Sequence, residues 1–379
     1  MGTIDTALIY LLFAVVGVVG CRLLHLPAIL GYLLAGIFLG QGGALIEQSE
    51  AAVASVADMG VVLLMFVIGL EFNLPKLRSM RHLVFGLGLG QVAFTIAGAL
   101  LGHFLLTVLF AWIGLQWQLT WQGAVALGSA LAMSSTAIVA RMMADRLELQ
   151  SEHGQRVMGV LLFQDLAVVP LLVLIPALAQ GNDEDLWRSL GTALLKGAAL
   201  VALLLWGGAR VMRTWLTVVA RRKSEELFVL NLLLMTLGMA WLTEHAGLSL
   251  ALGAFLAGML IAETEYKHQV ETDIRPFHDV LLGLFFITIG MKLDAQSIID
   301  DWWLVLLLTI GPLAAKGVLI TALVKVFGAS DGIALRTALY LTQAGEFGFV
   351  LLTLSAQHGV IGSQWLSPVL AAMVISMLA

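Results

Sequence analysis

Apolar residues run through this chain in stretches of about 17 to 25, the length an α-helix needs to cross a hydrocarbon layer. Charged residues or Gly and Pro separate the stretches. Cutting at those breaks predicts thirteen helices, at about 5–24, 27–41, 52–72, 82–112, 119–143, 154–179, 189–218, 224–244, 247–263, 275–291, 300–326, 332–357 and 363–379. The first stretch lacks a basic leader and a small-residue cleavage site, so it is expected to be a retained span. The last reaches Ala379 while still apolar, which suggests a natural protein that continues beyond it.

Within this apolar pattern, three segments recur in order, which predicts an internal repeat. Leu34-Ala35-Gly36-Ile37-Phe38-Leu39 echoes Leu256-Ala257-Gly258-Met259-Leu260-Ile261, and Met65-Phe66-Val67-Ile68-Gly69-Leu70 echoes Phe285-Phe286-Ile287-Thr288-Ile289-Gly290-Met291, at offsets of 222 and about 221. A fainter echo sets Ser134-Ser135-Thr136-Ala137 against Ala344-Gly345-Glu346-Phe347. Six helices (about 5–179), a linker helix (about 189–218) and six more (about 224–379) give two repeats of opposite topology. That arrangement marks secondary transporters, whose sites lie at mid-membrane where discontinuous helices cross. The faint echo is where breaks are expected. Ser134, Ser135 and Thr136 are poor helix formers that bond their own backbone, and Gly345 near Gly348 loosens the other segment.

Composition agrees: 60% of residues are hydrophobic and 12% charged, with mean hydropathy +0.97, which excludes a soluble domain and predicts an all-α polytopic membrane protein. Cys21 stands alone, so no disulfide or cysteine metal site can form within the chain. Lys and Arg gather in the loops after odd-numbered helices, while the opposite side holds only Arg188, Lys196 and Lys292. The positive-inside rule then places the N-terminus outside and the C-terminus in the cytoplasm.

Two charges break the apolar pattern at bilayer depth. Asp165 lies in an apolar run from Val157 to Ala177, and Lys316 lies inside the eleventh predicted helix. An acid at that depth points to an ion or proton path. A carboxylate partly withdrawn from water holds its proton more firmly, whereas a bound alkali cation opposes that effect, so proton and cation compete for one acid. Competition at a site facing each side in turn suffices for exchange. Gln164 beside Asp165 adds an amide and no second charge. One titrating carboxylate favours one cation against one proton, an electroneutral cycle, provided Lys316 does not also titrate. Ser134 or Thr136 oxygens are candidates to help coordinate the cation, and Gln164 and Ser135 join them with Asp165 in the expected ion- and proton-binding set. Glu346 is the candidate to neutralise the positive end of a half-helix, with Lys316 as the other compensating charge. The plainer readings are structural: an interhelical pair for Asp165, stabilisation for Lys316, small-residue packing for Ser134 to Thr136. Glu71, Gln91 and His103 carry no motif. A channel would need a carbonyl filter such as Thr-Val-Gly-Tyr-Gly, which is absent, and a hydrolase built on Ser134 or Ser135 lacks a nearby base.

These residues resemble the cation/proton antiporter superfamily, and in particular its Kef-type glutathione-gated potassium/proton antiporters. Four motifs carry the likeness: Ser134-Ser135-Thr136-Ala137, Gln164-Asp165, Lys316 and Gln343-Ala344-Gly345-Glu346-Phe347. The Gln-Asp pair is similar to the potassium-linked branch, whereas electrogenic sodium exchangers carry Asp-Asp. The resemblance implies a sodium/proton antiporter-like fold in the bacterial inner membrane, acting as a homodimer. It implies an elevator in which H+ and K+ compete for Asp165 and Lys316 pairs with Asp165 when no cation is bound. Sodium/proton exchange on the same fold is the alternative, a ligand-gated potassium channel a more distant one. The stretch from Glu265 to Phe277 looks like the acidic regulatory loop of these systems. In that likeness His268, Glu271 and Asp273 would contact a C-terminal nucleotide- and glutathione-sensing domain, and an ancillary subunit is a further implied partner. No enzyme activity, cofactor or nucleic-acid partner is expected, and K+ and H+ are cargo.

Overall fold

The computed structural model describes residues 3–24, 28–41, 50–72, 74–114, 118–179, 191–192, 195–199, 202, 207–293, 295–300 and 302–377. All regular structure among them is helical. The chain divides into two compact units, Met1–Phe72 with Leu195–Asp300, and Asn73–Leu194 with Asp301–Ala379.

The first unit contains α1 (Thr3–Leu23), α2 (Ala28–Gln41), α3 (Glu50–Glu71) and, later in the chain, the helices Ala209–Ala220, Glu225–His245, Leu250–Ala262, Lys267–Met291 and Ala295–Asp300. Its tightest packing falls on the repeated motifs. A Cβ on Gly36 would collide with the backbone of Ile287 and Gly290, and one on Gly258 with Phe66 and Gly69. The glycines of the two echoes therefore meet crosswise, each copy of one motif against the opposite copy of the other. Within a bilayer such small-residue contacts let backbones approach closely, where apolar burial alone gives no preference over lipid.

The second unit contains α4 (Leu74–Ser79), a π-helical turn Leu83–Gly88 leading into α5 (Leu89–Trp112), then α6 (Trp121–Ala132), α7 (Thr136–Asp145) and α8 (Glu152–Ala179). If the five later helices of the first unit are numbered α9 to α13, it resumes with α14 (Trp302–Val326), α15 (Asp331–Leu341), α16 (Glu346–Gln357) and α17 (Ser363–Ser376). Its core joins Leu87, Val139 and Met143 to Leu161, Val324 and Leu341, all essentially buried. Leu101, Leu105 and Val108 on α5 and Leu306, Leu307 and Ile310 on α14 face outward, as lipid-facing positions do.

Four single helices among the described residues are long and apolar enough to span a bilayer, and α12 makes a fifth if its two bent halves count as one. α3, the shorter apolar helices, the two halves of α6/α7 and those of α15/α16 lie over the other expected spans. Of the expected linker helix, residues 189–218, the later part is described and enters the helix Ala209–Ala220, while 189–190, 193–194, 200–201 and 203–206 lie outside the described residues. One expectation is corrected. The stretch read as a loop is helical from Lys267 onward, forming the first turns of α12, which bends by 47° just beyond Pro276.

Candidate functional site

Both interrupted helices lie in the second unit. Between α6 and α7 the chain leaves the helix at Met133, Ser134 and Ser135, and between α15 and α16 at 342–345. The sequence explains each opening. Ser135 is extended and its hydroxyl accepts from Ile138 N at 3.3 Å, an N-cap that starts a new helix. At the other opening Gly345 is extended and precedes Glu346, the first residue of α16. A Cβ on Gly345 would lie 2.5–2.8 Å from Ser134 C, Ser134 O and Ser135 N, so the two openings cross backbone on backbone.

A broken helix in hydrocarbon exposes peptide groups that each cost several kcal/mol if left unmet. Side chains meet six of them here. At the first opening, Ala132 O accepts from Gln91 Nε2 (3.1 Å), Met133 O accepts from Lys316 Nζ (3.0 Å), and Ser134 N donates to Gln164 Oε1 (2.8 Å). At the second, Leu341 O accepts from Ser134 Oγ (2.8 Å), Gln343 O from Lys316 Nζ (3.3 Å), and Ala344 N donates to Ser376 Oγ (3.1 Å).

Lys316 is 4% exposed. Its third hydrogen bond goes to Ser134 Oγ at 2.9 Å, so each of its three N–H groups meets an uncharged oxygen. The ammonium thus sits at the carbonyl ends of α6 and α15, where the peptide dipoles leave partial negative charge. This differs from the expected pairing with Asp165: the three bonds go to oxygens that the crossing of the two openings brings together. Beside it a cavity of about 20 Å³, lined by Thr309, Lys316, Thr342 and Ser376 among others, has room for one water.

Asp165, half-buried on α8, accepts from Thr136 Oγ1 at 3.2 Å, which sets its carboxylate at the N-terminal end of α7. Glu346 opens α16 in the same way, with Ser135 interacting with its carboxyl and its buried Oε2 unpartnered among the described residues. The acids occupy the positive ends of the half-helices and the lysine the negative ends. Gln164 and Ser134, expected in the ion-binding set, spend their polar atoms on the opening itself: Gln164 Oε1 on Ser134 N–H, Gln164 Nε2 on Gln91 Oε1 (2.8 Å) and Ser134 Oγ (3.3 Å), and Ser134 Oγ on Leu341 O and Lys316 Nζ. Sequence reasoning set Gln91 aside as structural or interfacial and missed Ser376. Gln91 did signal itself as an amide inside a long apolar run; a serine near the end of an apolar helix gives no such sign.

In the first unit, His268 and Glu271 are exposed and 3.8 Å apart, while Asp273 keeps one buried oxygen, Oδ2, without a hydrogen bond. No group of three or more His, Cys, Asp or Glu suited to a metal occurs among the described residues.

Residues 8–379 match the family model described as "Sodium/hydrogen exchanger, transmembrane". The chain belongs to this sodium/hydrogen exchanger family. Among curated relatives of this exchanger, a putative K(+) efflux antiporter KefB of Alkalimonas amylolytica is 39% identical over 378 residues, covering 100% of this chain and 55% of the relative. The chloroplastic K(+) efflux antiporter 1 of Arabidopsis thaliana is 39% identical over 357 residues, covering 92% of this chain and 29% of that protein. The chain therefore spans about half or less of the length of these relatives. The sodium proton antiporter MjNhaP1 of Methanocaldococcus jannaschii, solved at pH 8, shares the fold at TM-score 0.65 and 14% identity, covering 98% of this chain and 92% of that one.

Proposed function

We propose that this exchanger carries potassium against protons, the two ions competing for Asp165. The observation that carries the reading is the half-buried Asp165 carboxylate at the N-terminus of a broken helix, with the Thr136 hydroxyl on it. Desolvation, the positive helix end and a bound cation act on that one acid, so proton and cation occupancy exclude each other. Thr136 brings its hydroxyl to this acid and Ser135 caps the half-helix that carries Thr136; Gln164 and Ser134 act by holding the opening in shape. Lys316 and Glu346 balance the half-helix ends.

Potassium is favoured by the K(+) efflux antiporter relatives at 39% identity. An elevator cycle is supported by the placement of every one of these residues in one compact unit, able to move as a body. The distribution of Lys and Arg supports an N-terminus outside and a C-terminus inside the bacterial inner membrane. A homodimer, an ancillary subunit and a C-terminal nucleotide- and glutathione-sensing domain, meeting the chain at His268, Glu271 and Asp273, complete the proposal.

Reconstituted in proteoliposomes, the chain dissipates an imposed pH gradient when K+ is added, and Asp165→Asn abolishes this. Full exchange by Asp165→Asn removes the acid from the mechanism. Comparing K+, Na+, Rb+ and Li+ in the same assay ranks the cations, and a preference for Na+ overturns the potassium assignment.

A further inference from the structure

We propose that Gln91, fully buried on α5, is a positioning residue for exchange: through the Gln164 amide it fixes the polarity of the first opening. The inference rests on the exchange reading of Asp165 given above.

The direction of the chain of bonds is determined at both ends. The Thr95 hydroxyl donates to Gln91 O at 2.7 Å, which leaves its oxygen lone pairs to receive Gln91 Nε2 at 3.2 Å. Ala132 O, with nothing to donate, receives the same NH2 at 3.1 Å. Both neighbours demand the amide nitrogen on that side. Gln91 Oε1 consequently faces Gln164, which must present its own NH2, at 2.8 Å. Gln164 is then left with its oxygen toward Ser134 N–H, at 2.8 Å. Read backwards from Ser134 N–H, the same order results. Flipping either amide sets oxygen against oxygen or N–H against N–H at two contacts, so the network itself assigns the amides.

Gln91 therefore acts at two removes from the lysine. It holds Gln164, Gln164 holds Ser134, and Ser134 receives Lys316 and bonds Leu341 of the second opening. It also makes position 164 one for a neutral amide, because a carboxylate there would confront Gln91 Oε1. The side chains bonded to Gln91 are Thr95 and Gln164, both uncharged. The titratable members of the site reach it only indirectly, Lys316 through Ser134, Asp165 as the chain neighbour of Gln164, and Glu346 through Ser135, the chain neighbour of Ser134.

Gln91→Glu tests this. A protonated glutamic acid copies the amide, its O–H donating to Ala132 O and its C=O accepting from Gln164. Once ionised it has nothing to donate. Exchange by Gln91→Glu should match the parent at the acid end of its working range and fall away as pH rises, with the cation KM unchanged. Gln91→Leu should lower the maximal rate by about 10- to 100-fold at every pH, the usual scale for losing a residue that orients a ligand. If Gln91→Leu does not fold, the pH profile of Gln91→Glu decides alone. A parent-like rate and pH profile in either variant overturns the proposal while leaving the exchange reading intact. Exchange by the parent chain that persists in Asp165→Asn fails that reading instead.

Discussion

The two openings of the second unit occupy matching places in the chain yet are finished by different chemistry. The first carries no charge of its own: Ser135 caps α7, and neighbouring helices supply Gln91, Gln164 and Lys316 to its peptide groups. The second has no side-chain cap at Gly345, carries its own acid in Glu346, and borrows a serine from each side, Ser134 and Ser376. A repeat can thus preserve geometry while dividing labour. An opening furnished from outside leaves its helix start free for an acid from a neighbouring helix, here Asp165, whereas the other holds its acid at its own first residue.

Removing what the openings share should have the largest effect. Lys316→Met keeps the volume and strands Met133 O and Gln343 O together, while Ser134 Oγ keeps its bonds to Leu341 O and Gln164 Nε2. At about 1–3 kcal/mol for each buried partner left unmet, thermal melting in detergent should show the greatest loss of any variant here. Charge moved per cycle should stay at zero; a change in that number makes Lys316 a carrier and not a fixture. Gly345→Ala should come next, at about 1–3 kcal/mol for overpacking, because its Cβ meets backbone that cannot rotate away. The same exchange at Gly332, where a Cβ meets nothing within 4 Å, is the control.

Ser135→Ala and Ser376→Ala should then separate the openings. Both are expected to cost stability on the scale of one cap, about 1 kcal/mol. Only Ser135→Ala should also change the cation KM, since Ser135 caps α7, the half-helix whose first residue, Thr136, bonds Asp165. Equal KM values in the two variants would erase the functional contrast between the openings.

The smallest effect concerns a tether outside the spans. In the turn from α7 to α8, Glu148 accepts from Tyr340 OH on α15 at 2.7 Å and pairs with His153 at 3.1 Å. The Tyr340 bond, then the His153 bond, hold its carboxyl below the usual glutamate range. A lowered folded-state pKa means that the tether contributes fully above the unfolded value, about 4.3, and is lost as pH falls through the folded one. Melting temperature should therefore drop on acidification below about 4, and Tyr340→Phe should flatten that drop. An identical acid slope in Tyr340→Phe would remove the tether.

Much of this was legible in the chain before any coordinates. Ser134 to Thr136 and Gly345 mark the openings because poor helix formers and glycine act locally, and Asp165 and Lys316 stand out by depth alone. Partners were the illegible part. The family resemblance implied Lys316 against Asp165 in the cation-free state, whereas here its bonds go to two carbonyls and the Ser134 hydroxyl at a crossing that only the fold creates. Gln91 and Ser376 gain meaning only from that crossing. At 267–277 polar side chains resembled a loop, but a solvated helix face has the same composition.

Each opening also has a history set by chain order. Lys316 follows Met133 by 183 residues and Ser134 by 182. At about 5–20 residues per second of synthesis, the first opening enters the membrane roughly 10–40 s before its lysine is made. During that interval Met133 O needs another donor, and Gln91 and Gln164, already translated, are in place to bond only Ala132 O and Ser134 N–H. The nascent half-site is therefore a natural client for whatever keeps unfinished helices hydrated or shielded during insertion, and lesions at Lys316 should surface as failures of biogenesis before they surface as failures of transport.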